Sequence, residues 1–424
     1  MPAVLIRSAG WTALFLILAL ASYGILKPRG LQLDFANFYD AGSKARIGAF
    51  DSLYDPFASI DGQPPFGNMS FVSAPITSYL YVPLAMLPPR TASLLFKLAG
   101  TLAQGLGLVL LYRQARTLAG PTEDDQGWFF TLFCGAALLF QPFWMIYSVG
   151  GQTTPFVFLL LVLGYRAYLR NRLVAVAILL SIVVVIKPGF APAAVLLFIM
   201  SPMPFRLTAL ACALVAGGLS LALLGLPLHQ DFLARVLSET SSLSAPWQNS
   251  NPFSWIEPLF VAPQAYEAPG ELPASARALV TVLRLIGGGV LIWGMIRHLR
   301  SGIAPVAARH CVYVTALALV ILLSPVVWAH YLTVLFIPLA TLIALRRHLP
   351  GPALAGFGLG VGAAVFQSLI VIRRLIQALG LDSTPKIVAI GLLKSLTALL
   401  ILSVLALAYR SIGRALRDPA WNSL

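Results

Sequence analysis

An all-α protein that crosses a lipid bilayer many times is the fold class this sequence predicts. Its 424 residues are 58% hydrophobic and only 10% charged. Soluble chains carry about 25% charged residues, so this chain cannot build a water-facing surface, and it is too apolar for disorder. Apolar stretches of roughly 20 residues, the length a bilayer requires, recur from the N-terminus to Tyr409.

In chain order, Arg7 and the run Ala9 to Leu26 come first. They fit an uncleaved first span or, through Ala19-Leu20-Ala21, a cleavable signal sequence; both readings put the next segment outside the cytoplasm. That outer segment, 27–90, contains an apolar stretch at 72–88 broken by Pro75, Pro83 and Pro88, which reads as a shallow hairpin or interfacial helix. Helices are predicted near 91–112, 127–147, 152–169, 172–187, 189–201 and 206–226. After a second long outer segment, 228–277, they resume near 278–297, 310–323, 331–345, 352–372 and 386–409. With the first, these make about twelve spans. Segments 172–187 and 189–201 are short and divided by Lys187-Pro188-Gly189, so they read as two spans or one broken helix. Both long outer segments are rich in aromatics and proline, which predicts ordered loops. Without an internal repeat, residues 1–424 read as a single integral membrane domain.

The net charge of +14 does not point to nucleic acid, because its basic residues sit mostly in short loops between apolar helices. Starting from a cytoplasmic N-terminus, the inner loops hold fifteen arginines against four acids, and the outer segments hold eleven of each sign. That asymmetry satisfies the positive-inside rule and leaves both termini cytoplasmic. Cys134, Cys212 and Cys311 each stand alone in or beside an apolar run, with neither disulfide nor metal-ligand spacing.

Polar residues at membrane depth are costly and are functional candidates. In this topology they gather on the outer face: Asp34, Gln152 after Gly150-Gly151, Lys187, Asn249, Asn251, His330, and the pair Arg373 and Arg374. Each has a structural alternative. Asp34 can cap a helix, Lys187 and Lys97 can snorkel, and the arginines can anchor lipid phosphates. His330 and Gln152 can be satisfied locally, and loops favour asparagine. No phosphate-binding Gly-Lys-Ser/Thr loop, His-Glu-x-x-His or Gly-x-Ser-x-Gly occurs. The inner loops are too short for a nucleotide-binding domain, so an outer-face enzyme here would draw its activated group from a lipid carrier.

Asp34-Phe35, Phe38-Tyr39-Asp40-Ala41, Gly48 and Leu53-Tyr54-Asp55 resemble the start of glycosyltransferase family 87. Pro75 and Val82-Pro83-Leu84-Ala85-Met86-Leu87-Pro88 are similar to that family's proline-rich stretch. Gly151-Gln152, Lys187-Pro188 and Ser324-Pro325 with Trp328-Ala329-His330 follow in the family's order. Two positions depart from it: Ser73-Ala74 stand where Tyr-Pro is common, and Thr154 where asparagine is. The resemblance implies a type-C glycosyltransferase fold in a bacterial plasma membrane. It also implies a polyprenyl-phosphate-sugar donor, usually of mannose, and a glycolipid or glycan acceptor. It gives Asp34 the role of base and places His330 near the donor phosphate.

The residues accommodate that chemistry. A positioned carboxylate assists attack by a sugar hydroxyl, and cations beside a leaving phosphate stabilise its charge. Lys187, His330, Arg373 and Arg374 are the candidates for the phosphate, with Gln152, Asn249 and Asn251 completing the donor contacts. Asp34 has no partner at Asp-x-Asp spacing, so neither metal nor cofactor is expected, and a single displacement inverts the anomeric centre. The competing readings are a transporter or lipid flippase and a structural envelope subunit. The first would place its polar residues near the midplane rather than on one face.

Overall fold

The structure, a computed structural model, describes residues 3–26, 31–64, 71–119, 123–147, 151–236, 249–261, 273–303, 305–380 and 382–415. Within them the chain is helical, and its extended pairing is confined to the isolated bridges Ile60–Gln63 and Asn249–Trp328. Gly150 and parts of both long outer segments, 65–70, 237–248 and 262–272, lie outside the described residues.

Helix α1 (Ala3–Leu26) sits at the rim, with Trp11, Phe15 and Leu18 exposed as lipid-facing side chains are. It packs on α5 (Glu123–Leu139), where Thr131 Oγ1 donates to the Ile6 carbonyl at 2.5 Å. The first outer segment is ordered where described. It holds α2 (Leu33–Ile47), a 3₁₀ turn Pro75–Tyr81 and the short α3 (Val82–Ala85). Phe38 stacks on Tyr81 at 4.8 Å, and Gly42 lets the two segments touch, since a Cβ there would lie 2.5 Å from the Tyr81 carbonyl oxygen. Lys44 pairs with Asp40 and donates to the Asp55 carbonyl, both at 2.7 Å.

Then come α4 (Pro89–Ala119), α6 (Thr154–Leu169), α7 (Leu173–Ile186), α8 (Ala191–Met200) and α9 (Met203–Asp231). The second half holds α10 (Ala274–Leu299), α11 (Pro305–Leu323), α12 (Phe336–Ala344), α13 (Gly351–Ala363), α14 (Leu369–Leu379) and α15 (Thr384–Ala415). Among the described residues six helices are long and apolar enough to cross a membrane, or seven if one bent pair counts as a span. The other expected segments 127–147, 152–169, 172–187, 189–201 and 331–345 contain apolar helices of 10–17 residues.

Several boundaries differ from the sequence expectation. The segment 352–372 is not one helix: α13 ends, a 3₁₀ turn Ala364–Gln367 follows, and α14 leaves at 79°. Apolarity alone carries no signal for that bend. Lys97 is 6% exposed rather than snorkelling to the surface. The break at Lys187 is real, with Lys187 extended at φ −137°, ψ 91° between α7 and a 3₁₀ turn Pro188–Phe190. Proline disfavours the helical conformation in the residue before it.

The centre of the bundle is α11, apolar on every side and buried from His310 to Leu322. It packs on α6, α8 and α10, while every residue of α12 is buried nearby. Phe336 contacts Phe133, Phe140 and Phe143 at 4.8–5.4 Å. In lipid such van der Waals packing, rather than exclusion of water, holds helices together. The next segment after α11 carries His330.

Candidate active site

Asp34 lies in the first turn of α2, half-buried, and its Oδ2 accepts a hydrogen bond from Gln152 Nε2. Gln152 reaches it because Gly151 adopts φ +57° and lets the chain pass against α2. A Cβ at Gly151 would lie 2.6 Å from Phe35 Cβ and 2.9 Å from Gln32 Oε1, so only glycine fits there. Burial raises the Asp34 carboxyl to about 6, against the lowering effects of the Gln152 bond and the Lys187 charge.

Lys187 supplies that charge from the break between α7 and α8. Its Nζ lies 3.5 Å from His330 Nε2 and 4.4 Å from the centre of the Tyr331 ring. An ammonium has only hydrogens to offer, so His330 receives it on an unprotonated ring nitrogen. His330 is 7% exposed in the 3₁₀ turn Ala329–Leu335 that precedes α12. Asp34 with Gln152 and Lys187 with His330, from four separate parts of the chain, thus make two pairs that the charges of Asp34 and Lys187 couple. Tyr331, which no sequence signal singled out, adds its ring face to Lys187.

Asn249 and Asn251 do something different from the expected donor contact. Asn249 Oδ1 accepts from the Val327 and Asn251 amides, both at 3.0 Å, and its Nδ2 donates to the Pro325 carbonyl at 3.2 Å. Asn251 Nδ2 donates to the carbonyls of Ile321, Leu322 and Ser324, and its Oδ1 accepts from the Phe253 amide. The last carbonyls of a helix have no partner of their own. Asn251 satisfies those of α11, and Asn249 holds the strand-like stretch leading to His330. With their side-chain amides committed to backbone, the two asparagines shape the loop.

Arg373 and Arg374 lie exposed on α14, beyond the 79° bend, and no hydrogen bond or ion pair joins them to Lys187 or His330 among the described residues. Other residues the sequence reading missed hold the same loop from behind. Arg284 Nη2 donates to the Pro325 carbonyl at 2.9 Å and pairs with Glu257 at 3.5 Å. Burial raises the Glu257 carboxyl to about 7, opposed by Arg284. Gln367, at the bend, accepts from Ser250 Oγ and donates to the Lys394 carbonyl, both at 2.7 Å. An arginine inside the apolar run 278–297 was a readable signal; the glutamine was not. Among the described residues no three His, Cys, Asp or Glu side chains converge as a metal site would require.

A carboxylate in hydrogen-bond reach of an amide, with a lysine–histidine pair beside it, suits proton removal from a hydroxyl next to a departing anion. The model of glycosyltransferase family 87 matches residues 71–325, more than half of the chain. The chain belongs to glycosyltransferase family 87. As a member of that family it is a glycosyltransferase, with a sugar donor and an acceptor as substrates. No curated protein and no solved structure matches the chain. Of the family 87 candidates, Gln152, Lys187, Asn249 and Asn251 fall inside the matched region, and Asp34, His330, Arg373 and Arg374 fall outside it.

Proposed function

We propose that this glycosyltransferase moves a hexose, mannose in the first instance, from a polyprenyl-phosphate carrier to a glycolipid or glycan acceptor on the extracytoplasmic face. The observation that carries the reading is the half-buried Asp34 carboxylate bound to Gln152 in the field of Lys187, which itself touches His330. The acceptor oxygen attacks the anomeric carbon as its proton passes to Asp34. The bond from that carbon to the phosphate oxygen breaks, and its electron pair leaves with the polyprenyl phosphate. Lys187 and His330 face that developing charge, and Arg373 and Arg374 offer exposed cations to a phosphate at the bilayer surface. One displacement inverts the anomeric centre.

On this reading the five shorter apolar helices complete a type-C bundle of about twelve membrane-embedded segments, with both termini cytoplasmic in a bacterial plasma membrane. Lys187 supplies the positive charge a divalent ion would otherwise bring, and the neutral His330 ring adds a hydrogen-bond donor, so no metal is needed. The test is sugar incorporation by the purified chain from radiolabelled polyprenyl-phosphate mannose into membrane glycolipids. Transfer that persists in EDTA, with inverted configuration in the product, is the expected result. Lipid translocation without transfer would replace this reading with a flippase.

A further inference from the structure

Close in the chain to Asp34 and Gln152 stand three side chains whose buried polar atoms meet no hydrogen-bond partner among the described residues. Asn37 follows Asp34 by one helical turn on α2 and so shares its face. Its Oδ1 is buried and meets no hydrogen-bond partner among the described residues. Thr154 follows Gln152 by two residues, is 2% exposed, and its Oγ1 has no partner among them either. A threonine hydroxyl in mid-helix turns back to the carbonyl four residues earlier, but Thr154 opens α6 and has no helical turn before it. Gln32 donates through Nε2 to the Ile146 carbonyl at 2.7 Å, while its Oε1 is the third such atom without a partner among the described residues. That oxygen lies 2.9 Å from where a Cβ on Gly151 would sit, beside Gln152.

Buried polar atoms without partners are rare in folded proteins and are explained by a ligand, an ion or water. The chemistry of these narrows the choice. Two amide oxygens accept hydrogen bonds and cannot donate, and a hydroxyl does either. A phosphate brings only acceptors and would face two amide oxygens and the Asp34 carboxylate. An apolar chain would leave every orphan unpaired. A pyranose ring brings hydroxyls on neighbouring carbons, each able to donate and accept.

We propose that Asn37, Thr154 and Gln32 form the subsite that grips the hydroxyls of the acceptor sugar, holding its ring while Asp34 faces the attacking oxygen. The proposal rests on the reading of Asp34 as the base.

The test uses the full chain in detergent, with octyl α-glycosides of mannose, glucose and galactose as probes, and compares wild type with Thr154→Val, Thr154→Ser and Asn37→Leu. At least one glycoside binds wild type, and its affinity falls about 5–10-fold in Thr154→Val and in Asn37→Leu, the range of one neutral hydrogen bond each. Thr154→Ser, which keeps the hydroxyl, retains wild-type affinity. Unchanged affinity in Thr154→Val and Asn37→Leu overturns the proposal, as does a Thr154→Ser variant as weak as Thr154→Val, or a wild type that binds none of the glycosides. Transfer from polyprenyl-phosphate mannose to the same glycosides, assayed in parallel, separates the two readings. Binding that follows the variants without any transfer leaves the subsite standing and removes the proposed reaction. Transfer with an unaltered acceptor KM in the variants does the reverse.

Discussion

Asp34 concentrates most of the chemistry, and its pH behaviour has a definite sign. Burial raises its carboxyl from the ordinary 3.8 to about 6, so the folded chain holds this proton more tightly than the unfolded chain does. The resulting contribution to stability is fully present below 3.8 and is lost as pH rises through about 6. At neutral pH the carboxylate therefore opposes folding, and Asp34→Asn is expected to keep or raise the melting temperature. The same substitution removes the base, which costs about 10²–10⁴-fold in rate. A melting curve and a transfer assay on one preparation check both halves, and near wild-type turnover in a folded variant would make Asp34 structural. In the wild type, kcat/KM for transfer should fall on the acid side with a midpoint near 6, because only the ionised form accepts the proton. A profile flat from pH 5 to 8 would remove Asp34 from that role.

At the scale of elements, the loop after α11 is held from the side by residues 249–251 and from behind by Arg284. That arrangement explains why two asparagines from a long loop are fully buried although, among the described residues, neither hydrogen-bonds to Lys187 or His330. Asn251→Ala would strip donors from carbonyls of Ile321, Leu322 and Ser324. Buried carbonyls left unpaired cost about 1–3 kcal/mol each, so a loss of at least ~2 kcal/mol is expected in denaturation of the purified chain. Turnover should fall further than the folded fraction does, because His330 follows this loop into α12. A variant that loses stability but keeps its turnover per folded molecule would uncouple the loop from the site.

For the whole molecule, orientation follows from the charge asymmetry of the loops and is open to a direct measurement. Accessibility tagging should label Thr384, which opens α15, from outside, and Arg170 and Arg347 from the cytoplasm. Arg170 caps α6 at the end opposite Gln152, so its label also reports the side on which Asp34 stands. Labelling of Arg170 and Thr384 from the same face would break both the topology and the one-sided site. The 79° bend before α14 has a consequence of the same kind: α14 can lie along the bilayer surface with Arg373 and Arg374 in contact with headgroups, instead of crossing the bilayer.

The sequence by itself determined the class of the molecule and the presence of most of its helices, because the cost of bringing polar backbone and charge into lipid writes itself into long apolar runs. It also determined the break at Lys187, since Pro188 acts on its immediate neighbour. Asp34, Gln152, Lys187 and His330 were legible for the same reason: a polar residue beside an apolar span needs a compensating partner. Which partner each one found was decided only by tertiary structure. Asn249 and Asn251 looked the same as ligand contacts until their amides were seen on the carbonyls of α11 and its loop. Gln367 and the bend at α14 carried no local signal, because the bend is stabilised by Ser250 and the Lys394 carbonyl, far away in the chain. The orphaned oxygens of Asn37 and Thr154 were equally invisible, since whether a polar atom lacks a partner depends on everything packed around it.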